Sequence, residues 1–117
     1  PEAIATAREL IDQIYVDDQI ANYIVELVQT TRTPKIVSTE LSEFVEYGAS
    51  PRATLALTLC SKANAFLDGR GYVTPQDVKD LAHDVLRHRI ATTYEAEAEG
   101  KTSDDIVAAI LDFVPVP

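Results

Sequence analysis

Cysteine is nearly missing from these 117 residues. The single Cys60 excludes an internal disulfide framework and points to a reducing, cytoplasmic setting. No apolar run approaches the roughly 18 residues that a membrane-spanning helix needs, and no signal-like N-terminus is seen, so membrane insertion is not expected. Positive charge is also scarce. Ten Lys and Arg stand against 19 Asp and Glu, a formal net charge of −9. Nucleic-acid phosphates and anionic membrane surfaces repel a chain this negative, which disfavours a DNA or RNA reader, a helix-turn-helix protein included. Methionine is absent, and with the start at Pro1 this suggests a piece trimmed from something longer.

What is present supports one helical domain over residues 1–117. Leu, Ile, Val and Phe supply 33 of 117 residues, above the roughly one-fifth below which disorder is expected. Ala is the commonest residue, and the four glycines fall where a helical pattern stops. Periodicity of 3.6 predicts a first helix from Glu2 to Ile14, striped by Ala3, Ala7, Leu10 and Ile14. A second opens at Asp17 or Asp18, carries Ile20, Ile24, Leu27 and Val28 on one face, and stops at Pro34. A shorter segment covers Thr39 to Tyr47, with Leu41, Phe44 and Val45 inward and Glu40, Glu43 and Glu46 outward.

Three further helices are better punctuated. Ser50-Pro51 opens a long one, with Leu55, Leu59, Ala63 and Phe66 as its inward stripe and Ala56, Cys60 and Leu67 beside it. Thr74-Pro75-Gln76-Asp77 opens the next, with Val73 and Val78 placed as a hydrophobic staple and Arg87 and Arg89 suiting the dipole at its end. Thr102 caps the last, which is expected to bury Ile106, Ala109, Ile110 and Phe113 before Pro115. Between these two, Ile90 to Gly100 admits one short extended segment but no sheet. The expected fold is all-α, a compact bundle of about five helices.

Self-sufficient chemistry is hard to find. His83 and His88 lie five apart and so point to different faces of one helix. With no HExxH frame and no Cys cluster, they read as solvated or capping histidines, and no metal site is expected. Cys60 reads as a small core residue. The acidic residues Glu95, Glu97 and Glu99 read as a solvated edge. Neither a Gly-x-x-x-x-Gly-Lys-Ser/Thr loop nor GxGxxG occurs, so the chain brings no phosphate cradle, and no Ser/His/Asp set can be drawn.

One residue breaks a local rule. Arg52 sits in the first turn of the helix opened by Ser50-Pro51, where a cation faces the positive end of the dipole at a cost of about 0.3–1 kcal/mol. Asp77 and Asp105 do the opposite in their helices. Free backbone N–H groups beside an Arg make a candidate anion site, with phosphate the natural anion. The plain structural alternative is an ion pair between Arg52 and a Glu of the 40–46 segment.

The stretch Gly48-Ala49-Ser50-Pro51-Arg52-Ala53 resembles the sensor-2 motif of the MoxR family of AAA+ ATPases. The likeness extends in order along nearly the whole chain. It takes in Tyr15-Val16, Tyr23-Ile24-Val25-Glu26-Leu27-Val28 and Thr31-Arg32, then Lys62 to Arg70, Tyr72 to Val78, Val85 to Ile90, and Tyr94 to Gly100 leading to Val114-Pro115-Val116-Pro117. This resemblance implies a C-terminal helical lid, separated from an α/β core that holds ATP with Mg. Arg52 would be the sensor-2 arginine that reaches the γ-phosphate, and Gly48, Ala49, Ser50 and Pro51 the turn that aims it, near the nucleotide. The Walker motifs, sensor 1 and arginine finger are absent from these 117 residues, so the fragment alone is not an enzyme, whereas a full-length parent would be an ATPase. The resemblance further implies a ring in which each lid packs on its own core and on the neighbouring subunit. It also implies chaperone-like maturation of protein complexes, and partners with a von Willebrand factor A domain. The competing reading is a free-standing acidic helical adaptor that binds a protein without nucleotide.

Overall fold

Short polar side chains set most of the helix starts. In the computed structural model, which describes residues 2–117, Asp17 accepts from the Gln19 N–H at 3.0 Å and opens α2 (Asp18–Arg32), after α1 (Glu2–Asp12). Ser38 accepts from Leu41 and opens α3 (Thr39–Phe44), after a 3₁₀ turn at Pro34–Ile36. The chain runs on through β1 (Val45–Tyr47) into α4 (Arg52–Leu67). Reciprocal capping boxes, Thr74 with Asp77 and Thr102 with Asp105, open α5 (Pro75–Leu86) and α7 (Ser103–Phe113). Between them lie β2 (Ala91–Thr92) and α6 (Tyr94–Ala98), the latter capped by Thr93.

Two glycines end helices in the left-handed region. At Gly69 (φ 76°) the Arg70 N–H reaches back to the Ala65 carbonyl at 2.9 Å. At Gly100 (φ 72°) the Lys101 N–H reaches the Ala96 carbonyl at 2.8 Å. Both are Schellman closures, which only a residue without Cβ makes at low cost. The first folds α4 back on α5, the most extensive helix pairing in the molecule.

The core is built from one face of each long helix. Ile24, Leu27 and Val28 of α2 join Leu57 of α4, Val78, Ala82 and Leu86 of α5, and Ile106, Val107 and Ile110 of α7, all essentially removed from solvent. Each of the larger aliphatic side chains stabilises the fold by about 1.5–3 kcal/mol through burial. No helix is long and apolar enough to cross a membrane among the described residues.

The all-α expectation holds, with seven helices among the described residues, and several details change. Residues 45–47 are a strand, the end of the segment predicted as helix to Tyr47. They pair antiparallel with Ala91–Thr92 in a two-stranded sheet where none was expected. That extended piece does fall in the anticipated 90–99 stretch. The Thr93 hydroxyl locks it to the Glu43 carbonyl at 2.7 Å. Helix α1 stops at Asp12 and fully buries nothing, leaning on α4 instead.

The inward face of α4 is not the predicted one. Leu55, Leu59 and Leu67 are 73, 55 and 83% exposed, while Ala53, Leu57, Ser61 and Ala65 are buried. Apolar periodicity favours the face of Leu55, Leu59 and Phe66, yet packing buries another row, made of three small residues and Leu57. In α7, Val107 is buried and Phe113 is 43% exposed, the reverse of the expectation for Phe113.

Candidate functional site

The Gly48-Ala49-Ser50-Pro51 segment joins β1 to α4 and lies against the last turn of α2. A Cβ on Gly48 would stand 2.1 Å from the Thr31 carbonyl oxygen and 2.6 Å from the Arg32 nitrogen, so only glycine fits there. The next residue, Ala49, is fully buried and donates its N–H to the Thr31 hydroxyl at 2.9 Å. Ser50 and Pro51 are exposed, and Arg52 is the first residue of α4.

The helix therefore starts one residue later than the Ser-Pro signal placed it. Pro51 occupies the N-cap position, and no side chain bonds the free end. The Ala53 N–H reaches the Ser50 carbonyl at 2.9 Å and the Thr54 N–H the Pro51 carbonyl at 3.1 Å, which tightens the first turn. Arg52 is exposed and has no ion-pair partner among the described residues; the alternative pairing with a Glu of the 40–46 segment does not form. Leu55 and Leu59 follow Arg52 on the same exposed face at spacings of three and seven. Beside it, an open cavity of about 480 Å³ separates α2 from the start of α4, lined by Val25, Val28, Gln29, Arg32, Thr33, Pro51 and Thr54.

The other charged clusters hold elements together. The Arg70 guanidinium grips the Asp77 carboxylate at 2.6 and 2.7 Å, and Asn64 and the Thr74 N–H complete its shell. That guanidinium holds the enclosed Asp77 carboxyl down at about 2, against an ordinary 3.8. Between α5 and α7, Asp104 accepts from Arg87 Nε at 2.9 Å and faces His83 Nδ1 at 3.1 Å, and Arg87 lowers its pKa. His83 is thus a cross-helix contact. Cys60 is half-buried. Among the described residues no group of three or more His, Cys, Asp or Glu side chains is placed to hold a metal.

Gly48 to Arg52 lie as one turn and helix start, with the start shifted by one residue, and sequence reasoning gave Thr31 no role. The signal was there: Thr31 continues the Ile24, Leu27, Val28 series at the next inward position of α2. A polar residue on a buried face needs a partner.

The structure is thus a small helical domain with an unpaired arginine at an exposed helix start, beside an open groove and an uncovered leucine face. Comparison with known proteins gives its class. The family model for the AAA lid domain matches residues 37–110. The chain belongs to that family, as a C-terminal lid of the MoxR-type AAA+ ATPases. It is 34% identical over 111 residues to the chaperone MoxR1 of Mycobacterium tuberculosis, covering 94% of this chain and 29% of that protein. It is 38% identical over 107 residues to the uncharacterized protein YeaC of Bacillus subtilis, covering 92% of this chain and 31% of that one. A crystal structure described as a "putative ATPase" from Cytophaga hutchinsonii superposes with a TM-score of 0.88 at 40% identity, over 93% of this chain and 33% of the other. The chain spans about a third of the length of the relatives it matches.

Proposed function

We propose that this domain closes over ATP and Mg held by an α/β core and that Arg52 reaches the γ-phosphate as a sensor-2 arginine. The observation that carries this reading is the state of Arg52. It is solvent-facing, without a carboxylate partner, and set at a helix start whose dipole it opposes. An arriving phosphate turns both disadvantages into favourable interactions. A planar guanidinium stabilises charge on the transferring phosphoryl group and registers whether that group is present. Gly48 and Ala49 act through the turn they form, and Ser50 and Pro51 lie exposed beside the nucleotide. Loss of the γ-phosphate after hydrolysis then releases the lid as a rigid body.

In this reading the parent polypeptide is an ATPase that works in a ring, each lid packing on its own core and on the neighbouring subunit. The exposed Leu55 and Leu59, on the same face as Arg52, support such a contact. The name of one relative, the chaperone MoxR1, supports a chaperone role for the parent; maturation of client complexes in the cytoplasm belongs to the same proposal. The MoxR resemblance extends the proposal to a partner carrying a von Willebrand factor A domain.

The test is to read the coding sequence upstream of Pro1 and assay ATP turnover of the whole product with and without Arg52→Ala. A P-loop upstream and a kcat lower by on the order of 10²-fold are expected, the usual effect of removing one preorganised donor from a developing charge. An upstream stop codon, or full turnover in the variant, would return the domain to a free-standing adaptor.

A further inference from the structure

We propose that Thr31 is a positioning residue for Arg52: its buried hydroxyl ties the turn before α4 to the end of α2 and thereby sets where the guanidinium points. The proposal rests on the reading of Arg52 given above. Thr31 is fully enclosed, and its hydroxyl donates to the Val28 carbonyl at 2.5 Å while accepting the Ala49 N–H at 2.9 Å. The second bond links residues 18 apart in sequence.

Two consecutive residues are thus fixed against one turn of α2: Gly48 by contact with the Thr31 carbonyl, Ala49 by the hydroxyl. From Ala49 only Ser50 and Pro51 remain before Arg52, and the proline ring sets one of their backbone angles. On the far side Ala53 is again fully buried. The backbone of Arg52 is therefore clamped between two enclosed alanines, and its freedom lies in its side chain. The Ala49 N–H is buried, so without the Thr31 oxygen the turn must shift to find another acceptor or water. A shift of an ångström at the start of α4 moves the guanidinium by at least as much, which matters for a group that acts only at one distance from a phosphate.

The experiment is a double-mutant cycle in the full-length ATPase, with Thr31→Val and Arg52→Ala alone and combined, followed by steady-state kcat and KM for ATP. Thermal unfolding is measured in parallel. Thr31→Val keeps the shape of the side chain and removes the hydroxyl. The expected result is a kcat lower by roughly tenfold, recovery in Thr31→Ser, and no further loss when Thr31→Val is added to Arg52→Ala. That last non-additivity is the readout that a merely stabilising threonine would not give.

A Thr31→Val turnover within about twofold of the parent, beside an impaired Arg52→Ala, overturns the proposal and leaves the Arg52 reading standing. A Thr31→Val loss that persists undiminished in the Arg52→Ala background also overturns it. Unimpaired Arg52→Ala removes the Arg52 reading and this inference with it. Should Thr31→Val not fold, the same cycle is run with Thr31→Ala, whose smaller side chain leaves room for a water at the Ala49 N–H.

Discussion

Arg52 and Asp77 show how differently two charges can be handled within one small domain. Arg52 stands exposed without a carboxylate, whereas Asp77 is enclosed by Arg70, Asn64 and Thr74. The second arrangement makes a testable statement about acid stability. The Asp77 pKa is depressed in the folded state, so its contribution is fully present above the ordinary 3.8 and is lost as pH falls through about 2. Asp104, held low by Arg87, and Asp105, held low by the Thr102 N–H, change with the same sign. Urea midpoints of the 117-residue chain should stay flat from neutral pH down to roughly 5 and then fall steeply towards 2. Asp77→Asn should lower the plateau, because it leaves Arg70 without its anion, and should make the acid fall shallower. An unchanged pH profile in the variant would show that the Arg70–Asp77 grip carries no acid sensitivity.

At the scale of elements, α4 separates two kinds of leucine that look alike in sequence. Leu57 is fully buried and Leu55 and Leu59 are exposed, although all three lie within five residues. Leu57→Ala should destabilise the chain by about 2–5 kcal/mol, a lost contact plus a cavity. Leu55→Asp with Leu59→Asp should stay within about 1 kcal/mol of the parent in the same denaturant titration, since neither side chain supports the core. Reversal of that order would mean that the predicted face, not the observed one, is inward. The reason it was misread is physical. Ala53, Ser61 and Ala65 share the buried row with Leu57, and small residues carry little hydrophobic signal. Helix ends were easier to read. Thr74 with Asp77 and Thr102 with Asp105 are local hydrogen-bond arrangements that a four-residue window contains in full.

For the whole molecule, charge and incompleteness lead to one expectation. With a net charge of −9 and no P-loop of its own, the 117-residue chain should bind ATP very weakly, because one arginine and a helix start do not replace a phosphate cradle. Titration calorimetry checks this, and sub-micromolar binding to the chain alone would overturn it.

The sequence by itself determined the helical class and most helix boundaries, because caps, glycines, prolines and periodicity act over a few neighbouring residues. Ordered motifs along nearly the whole length determined the family as well. Only the tertiary structure decided the pairing of Val45–Tyr47 with Ala91–Thr92, the outward turn of Leu55 and Leu59, and the bond from Ala49 to Thr31. Each of these joins segments far apart in the chain or weighs one packed face against another, and such choices depend on shape and distance, which no local pattern of residues encodes.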